Sequence, residues 1–485
     1  MYLGIDIGTS GVKAVVIADD GAVVVQETAR LAVSRPAPLW SEQDPDAWWR
    51  ATESAVLALP AAIRARVRGV GLAGQMHGAT VLGADDRPLR PAILWNDGRS
   101  FAECAELEAA EPESRGITGN LAMPGFTAPK LLWLRRYEPE TFARIATVLL
   151  PKDYVRLCMT GEKASDMADS AGTLWLDVAA RDWSEAMLAA SGLSRAQMPR
   201  LAEGCAVAGT LRREVAARWG MEPVPVAAGG GDNAAGAAGV GVIAANDDGG
   251  GDALLSLGTS GVIFVATREF RPNPERAVHA FCHCLPGTWH QMAVHLSAAS
   301  CLDWAARQLG VPGAAEVLTL AQQAGVAEGP ELFLPYLSGE RTPHNDPHVR
   351  AALLGLDDDT TPGRIAAAVL EGVAFAHADG LAALREAGTR VEDLAVIGGG
   401  ARSAHWGRIL AAALDARLLY LEGGEVGPAL GAAKLALMAV TGASAAEACT
   451  RPPLSHVIEP EPALAERLAP KRDRFRTAYP AMRTI

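Results

Sequence analysis

Short apolar runs alternate with glycine-rich polar segments along the chain, and this pattern predicts buried strands that end in polar turns. The first such unit covers residues 3–17, with the turn sequence GTSG at residues 8–11. A second unit covers residues 253–265, with the same turn sequence at residues 258–261, 250 positions later. Each unit predicts a strand, a tight turn and another strand, so the two halves of the chain contain related structures.

These two turns are candidate phosphate sites. Glycine has no side chain to block a close approach, so such a turn brings backbone N–H groups and hydroxyls near a bound anion. The copies differ where Asp6 in the first unit corresponds to Ser256 in the second. An aspartate inside an apolar strand is costly to bury unless it is paired or bound to metal. We expect Asp6 to support a metal ion beside a polyphosphate; the alternative is an ordinary hairpin with a partly buried acid.

Two further predicted strands of the first half, residues 68–73 and 91–94, also end in polar motifs. Open α/β sheets bind ligands at the carboxyl ends of their strands. The residues that follow these strands are therefore candidates for a ligand site: Met76, His77, Trp95, Asn96 and Asp97.

Two glycine triplets follow predicted strands. The first, residues 229–231, precedes Asp232 and Asn233 at the start of a predicted helix. Both residue types are favoured as helix N-caps, but a cap does not need three preceding glycines, which favours a catalytic Asp232. The second triplet, residues 398–400, lies before a helix predicted over 406–414, where a nucleoside would rest on the backbone.

The chain has 485 residues, which is too long for one core and fits two domains. We place the boundary in the polar, glycine-rich segment 246–252, giving domains 1–245 and 246–485. Strands alternating with helices indicate the α/β class. A net charge of −12 argues against nucleic acid or an anionic membrane as a general partner. Seven scattered cysteines and the lack of a long apolar run indicate a cytoplasmic location.

Two other segments invite a functional interpretation that we do not favour. Residues 279–284 (HAFCHC) have the composition of a metal cluster, but no second Cys/His pair with zinc-type spacing follows. The basic positions near the C-terminus are expected to form a solvated helix face: Lys471, Arg472, Arg474 and Arg476.

The chain resembles the FGGY carbohydrate kinases, and within them the bacterial branch that phosphorylates xylulose. The motifs that carry the resemblance span nearly the full length of the chain: residues 4–11 (GIDIGTSG), 74–78 (GQMHG), 94–99 (LWNDGR), 125–133 (GFTAPKLLW), 229–236 (GGGDNAAG), 256–261 (SLGTSG), 336–343 (YLSGERTP) and 398–403 (GGGARS). Glycerol kinases of the family have Arg-Glu where this chain has Met76-His77, which favours a sugar substrate.

The resemblance implies two ribonuclease-H-like domains, of the kind found in actin and hexokinase, with ATP and sugar in the cleft between them. It implies that Asp232 is the general base and that Asp6 holds Mg²⁺, through water. The sugar is expected to contact Met76, His77, Trp95, Asn96, Asp97, Asp232 and Asn233. ATP is expected to contact Gly8, Thr9, Ser10, Lys13, Gly258, Thr259, Ser260, Gly398, Gly399, Gly400, Ala401, Arg402 and Ser403.

The activity that the resemblance implies is phosphorylation of D-xylulose by ATP to D-xylulose 5-phosphate. A kinase for another ketose or polyol, such as ribulose, a deoxy-sugar or glycerol, is an alternative. A further alternative from another class is an ATP-binding protein of the actin or chaperone type that phosphorylates no small molecule. Sugar and ATP are the expected partners, without nucleic acid or membrane, and a homodimer is possible.

Overall fold

The computed structural model describes residues 1–244, 252–422 and 427–483. Within them the chain forms two seven-stranded mixed sheets, one in each half, with helices packed against both. The two mixed sheets confirm the predicted α/β class. Most of the predicted boundary segment, residues 246–251, lies outside the described residues, so the division into 1–245 and 246–485 stays a prediction.

The first sheet is built on the hairpin predicted around residues 8–11. Strand Tyr2–Ile7 pairs antiparallel with Gly11–Ile17 and parallel with Val70–Gly74, so it lies at the centre of the sheet. Across the sheet the strands are, in order, Val207–Thr210, Pro225–Ala227, Val70–Gly74, Tyr2–Ile7, Gly11–Ile17 and Val23–Arg30, while Gly230–Gly231 also pairs with Val70–Gly74.

The second sheet repeats this order. Its strands are, in order, His279–Cys282, Trp289–His295, Gly261–Thr267, Asp252–Leu257, Asp393–Ile397, Arg417–Leu421 and Leu454–Ile458. In both sheets three antiparallel strands are followed by two strands parallel to the first of them. This shared order is the ribonuclease-H-like arrangement that the family resemblance implied.

Short strand pairs lie outside the two sheets. They are Glu42–Gln43 with Ala92–Ile93, Thr80–Leu82 with Thr147–Leu149, Ala164–Asp166 with Arg200–Ala202, Leu176–Asp177 with Asp182–Trp183, and Leu332–Leu334 with Ala352–Leu354. The strand predicted at residues 91–94 is therefore a two-residue strand outside the main sheet. The position of Trp95 depends on this small pair and not on a strand of the central sheet.

The helices of eight or more residues lie in both halves of the described chain. Those of the first half are Pro45–Ala58, Phe101–Ala110, Thr127–Tyr137, Pro151–Thr160 and Asp232–Gly239. Those of the second half are Ser300–Leu309, Ala314–Ala324, Pro362–Glu386, Ala404–Leu414, Pro428–Thr441 and Pro462–Met482. Sequence signals explain individual starts: Asp44 caps the first helix by accepting from the Asp46 N–H, and proline follows the cap.

Helix Pro428–Thr441 belongs to the second half of the chain but packs on the sheet of the first half. Glycines in the strands make room for it. A Cβ at Gly4 would lie 1.9 Å from the Ala429 carbonyl oxygen, and one at Gly71 would lie 1.9 Å from that of Ala432. Backbone contacts this close connect the two halves of the chain directly.

Two helices of the second half build its interior. By length and hydropathy, one helix among the described residues, Pro362–Glu386, could cross a membrane, but 89% of its most apolar window is buried inside the protein.

The basic helix Pro462–Met482 differs from the expectation of a solvated face. Lys471 is only 7% exposed and forms an ion pair with Glu371. That expectation was wrong for Lys471, because a buried carboxylate across the helix pair attracts it inward.

Candidate active site

A cavity of about 310 Å³ lies between the two halves of the chain. The first half contributes Met76, His77, Trp95, Met123, Gly125, Phe126, Asp232 and Asn233 to its walls. The second half contributes Ser256, Ser260, Val262, His279, Phe281, Met292, Val294 and Arg341. The structure thus brings five of the predicted sugar residues together with Ser260 of the second turn.

The two predicted carboxylates lie on either side of one strand. Asp6 is the register partner of Ala73, and Gly230 pairs with the same residue from the other side. Asp232 then begins the helix Asp232–Gly239. Burial and, to a smaller extent, the nearby charge of Asp232 together raise the pKa of Asp6 to about 7, while the charge of Lys13 opposes the rise. Because the carboxylates affect each other, a cation between them would favour the ionised form of both.

Asp232 is held by its neighbour Asn233. The backbone N–H and the side-chain amide of Asn233 both donate to Asp232 Oδ1, at 2.7 and 2.9 Å. Burial raises the pKa of Asp232 to about 6, and the two Asn233 hydrogen bonds limit the rise. Since both bonds go to Oδ1, the Oδ2 atom is available to a substrate hydroxyl. A buried carboxylate with a pKa near the working pH is suited to act as a general base.

The three glycines before Asp232 are needed by the protein's own packing. Gly229 has φ of +86°, and a Cβ there would lie 2.0 Å from the Leu72 carbonyl oxygen. A Cβ at Gly231 would lie 2.8 Å from Met76 Cγ. The triplet therefore positions the backbone against a central strand and against Met76, which places Asp232 in the cavity.

His77 is present as a neutral imidazole of defined orientation. Its Nδ1 lies 2.6 Å from the Gly172 carbonyl oxygen, which only accepts, so Nδ1 carries the proton. Burial and the charge of Lys130 lower the pKa of His77 to about 3. Lys130 itself donates to the carbonyl oxygens of His77 and Gly125, at 2.8 and 2.7 Å. His77 Nε2 therefore offers a lone pair to a ligand.

Of the motif at residues 95–97, Trp95 lines the cavity, whereas Asp97 lies in the protein interior. Trp95 is 43% exposed, lines the cavity and donates from Nε1 to Thr9 Oγ1 at 2.9 Å. Asp97 is buried, accepts from the Ser41 N–H at 2.6 Å and forms an ion pair with Arg99 at 2.7 Å. Asn96 and Asp97 are not among the cavity-lining residues. Asp97 thus stabilises the loop that carries Trp95, and a direct sugar contact stays a prediction.

The two GTSG turns have the same sequence but different lengths. Four residues separate the paired Ile7 and Val12, whereas three separate Leu257 and Gly261. In the first turn the Thr9 hydroxyl donates to Gln75 Oε1 at 3.0 Å, so its proton is already used. A phosphate contact at this turn would come from backbone N–H groups or from Ser10.

The predicted nucleoside residues form one continuous turn. Gly398 has φ of +94°, and a short 3₁₀ helix covers Gly399–Arg402, which includes the backbone of Ala401. Ser403 caps the next helix by accepting from the Trp406 N–H. A Cβ at Gly399 would meet no described atom within 4 Å, so the backbone there is open to a ligand. The contacts with ATP predicted here, and at Lys13, Gly8, Gly258 and Thr259, stay predictions.

Several cavity residues were not among those predicted to contact a ligand. His279, Phe281 and Arg341 reach the cavity because an edge of the second sheet faces the first half. The composition of residues 279–284 drew attention to metal binding, yet no group of three or more His, Cys, Asp or Glu residues in the described parts of the chain is arranged to hold a metal ion. The family-like motif 336–343 contained Arg341 without suggesting its place.

The residues present fit a hydrated Mg²⁺ held mainly by substrate. Asp6 Oδ1 is buried and has no hydrogen-bond partner, which is costly unless a cation or water meets it. Mg²⁺ keeps several waters and is bound through one or two carboxylates plus substrate phosphates, not through a full protein cage. One unpartnered carboxylate beside two phosphate-type turns matches that requirement.

The chain belongs to the FGGY family of carbohydrate kinases. The N-terminal domain of that family matches residues 1–239, and its C-terminal domain matches residues 253–440. The protein is thus a carbohydrate kinase, as the motifs predicted.

Three proteins show which members of this family the chain is similar to in sequence and in structure. The xylulose kinase of Escherichia coli (strain K12) is 55% identical over 481 residues, covering 99% of this chain and 98% of its own. A solved structure described as a xyloylose kinase from Brucella ovis has a TM-score of 0.94 at 51% identity and covers 100% of this chain and 99% of its own. The structure of Plasmodium falciparum glycerol kinase with ADP has a TM-score of 0.88 at 18% identity, covers 97% of this chain and 96% of its own, and shows the shared fold.

Proposed function

We propose that this protein transfers the γ-phosphoryl group of ATP to the terminal hydroxyl of D-xylulose, forming D-xylulose 5-phosphate and ADP. The observation that carries the proposal is the cavity between the halves, whose walls include Asp232 and His77 of the first half and Ser260 of the second turn. The cavity volume of about 310 Å³ is sufficient for a small sugar beside a phosphate group. The xylulose kinase relative at 55% identity supports the choice of sugar.

Asp232 would act as the general base. Its Oδ2 accepts the proton of the sugar hydroxyl as the hydroxyl oxygen attacks the γ-phosphorus in line, and ADP leaves. Asn233 keeps the carboxylate oriented through its two hydrogen bonds to Oδ1. Phosphoryl transfer depends mostly on positioning and charge stabilisation, so the two halves must hold sugar and nucleotide in line and exclude water.

Asp6 would hold Mg²⁺ through water. The ion, when bound, neutralises charge on the phosphate oxygens. The chain's own contribution is a buried Oδ1 without a partner and a neighbouring Lys13, its cross-strand partner. Backbone N–H groups of the two turns would orient the phosphates from opposite sides.

A coupled ADP-release assay across sugars tests the proposal. The enzyme with Mg²⁺ and ATP is given D-xylulose, D-ribulose, L-ribulose, L-xylulose, glycerol or no sugar. We expect strong stimulation by D-xylulose and a product phosphorylated at C5, identified by ³¹P–¹H correlation NMR. Equal ADP release with and without every sugar would refute the proposal and favour an ATP-binding protein without a small-molecule substrate.

A further inference from the structure

Arg341 has no assigned part in the proposed reaction, yet it lines the cavity. Burial lowers the pKa of Arg341, and the charge of Glu340 opposes this shift. The Glu340 carboxylate accepts from the backbone N–H of Arg341 at 2.8 Å, and no ion pair joins it to the guanidinium among the residues that the structure describes. A buried guanidinium without a carboxylate partner is costly unless it serves a ligand. The only side-chain contact of its guanidinium found in the described residues is with His279, at 3.3 Å between Nη1 and Nε2.

Arg341 lies among the rings that line one side of the cavity. It contacts His279, whose ring centroid lies 5.5 Å from that of Phe126, and the Phe126 ring lies 4.8 Å from that of His77. Asp232 lies outside this group of rings, because it begins helix Asp232–Gly239 directly after Gly231, which packs on Met76. A substrate whose reacting hydroxyl lies at Asp232 therefore extends its other end towards Arg341.

The contact between Arg341 and His279 leaves no free acceptor on either side chain. A guanidinium has no acceptor, so the contact with His279 requires Nε2 to be the acceptor and Nδ1 to carry the proton. That proton is directed at Asn120 Oδ1, 3.3 Å away. Asn120 is fixed in turn, because its amide donates to the carbonyl oxygen of Ala280 at 2.8 Å. The one lone pair of His279 is thus already used by Arg341.

The other hydrogen-bonding side chain in this part of the cavity, His77, offers an acceptor. His77 Nδ1 is committed to the Gly172 carbonyl oxygen, which leaves Nε2 to accept. A ligand atom at Arg341 must accept, and a neighbouring atom at His77 must donate. A carbonyl beside a hydroxyl satisfies both requirements with one proton for the one lone pair of His77 Nε2. A hydroxyl placed at Arg341 would also accept from the guanidinium, but its proton would compete with that of the neighbouring hydroxyl for the same lone pair, which is penalised in a buried site.

We propose that Arg341 binds the carbonyl oxygen of the sugar and makes the site selective for open-chain ketoses over the corresponding alditols. The inference rests on the proposed function, since it takes the phosphorylated hydroxyl to lie at Asp232. The keto group of a 2-ketopentose is three carbons from the terminal hydroxyl, so it falls on the side of the cavity that Arg341 lines. Arg341 is then a specificity-determining residue that contacts substrate.

The test compares D-xylulose with xylitol, which has a hydroxyl in place of the carbonyl. For wild type and Arg341→Met we would measure kcat/KM for D-xylulose, the inhibition constant of xylitol and KM for ATP. We expect kcat/KM for D-xylulose to fall about 10–100-fold, since a hydrogen bond to a charged group is lost. The inhibition constant of xylitol should change less than about 3-fold, and KM for ATP should stay constant.

Two further variants keep the test decisive. Arg271→Met is the matched control, because Arg271 lies in the same half, pairs with Glu269 and is not among the cavity residues; it should leave all three constants unchanged. If Arg341→Met does not fold, Arg341→Lys should show the same selective loss to a smaller extent. A parallel loss for D-xylulose and xylitol, or an effect confined to ATP, would overturn the inference alone. A wild-type protein that phosphorylates no ketose would overturn the proposed function as well.

Discussion

Replacing Asp6 with asparagine should stabilise the protein in the absence of ligands and metal. One oxygen of the Asp6 carboxyl, Oδ1, is buried without a hydrogen-bond partner, and the carboxyl lies near Asp232. Its pKa rises from the ordinary value of 3.8 to about 7. The unfolded chain therefore releases this proton near pH 4, whereas the folded chain keeps it until about pH 7, and stability falls as pH rises through that window.

The size of the expected stability gain follows from the pKa shift of Asp6. About three pKa units correspond to about 4 kcal/mol, since each unit is worth about 1.4 kcal/mol. Water at the exposed side of the carboxyl reduces the effect, so we expect Asp6→Asn to gain about 2–4 kcal/mol at pH 8 and less than half of that at pH 5. A neutral amide removes both the burial cost of charge and the repulsion by Asp232.

Thermal unfolding in metal-free buffer at the two pH values measures this gain. We expect Tm to rise by about 5 °C or more at pH 8 and by much less at pH 5. Asp97→Asn is the matched control, because Asp97 is also buried but is ion-paired with Arg99, so its loss should lower Tm. An Asp6→Asn protein that is less stable than wild type at pH 8, or equally stabilised at both pH values, would refute the reasoning.

Three other predictions follow from the site and its supports. The pH profile of kcat/KM should fall on the acid side with a midpoint near 6, because Asp232 is protonated below its raised pKa and cannot accept a proton; an acid limb near pH 4 would contradict this. Gly229→Ala should lower stability by more than about 2 kcal/mol in urea unfolding, since φ is +86° and the new Cβ would contact the Leu72 carbonyl oxygen; an unchanged midpoint would contradict the packing role. Trp95→Phe should lower kcat/KM by about 3–10-fold, because the indole donor to Thr9 Oγ1 is lost; sugar titrations at saturating ATP would detect it, and unchanged constants would contradict the link.

The repeated hairpins could be predicted because their signal is local. Apolar runs and glycine-bounded turns identify the strands around residues 8–11 and 258–261, and the observed strands confirm them. The difference in turn length could not be predicted, since the two turns have the same sequence. The two turns also have different neighbours that are distant in the sequence: a Cβ at Gly11 would lie 2.7 Å from the Ala29 carbonyl oxygen, whereas one at Gly261 would lie 2.1 Å from His377 Nε2.

The candidate active site could be predicted only in part, because some of its contacts also join residues that are distant in the sequence. Met76, His77 and Asp232 follow predicted strands, so strand ends alone pointed to them. Arg341 lies in a loop segment whose approach to His77 exists only once the second sheet faces the first half. The sugar contact predicted for Asp97 stays a prediction, whereas the ion pair of Asp97 with Arg99 could not be predicted, because it depends on the side-chain positions.

Sugar-dependent ADP formation by wild type and by Asp232→Asn, measured with D-xylulose, Mg²⁺ and ATP, tests the central claim most directly. ATP binding is measured alongside by calorimetry, so that loss of turnover is separated from loss of the nucleotide site. The account predicts that Asp232→Asn binds ATP like wild type while kcat with D-xylulose falls about 10²–10⁴-fold. Turnover within a few-fold of wild type would contradict the assignment of Asp232 as the general base.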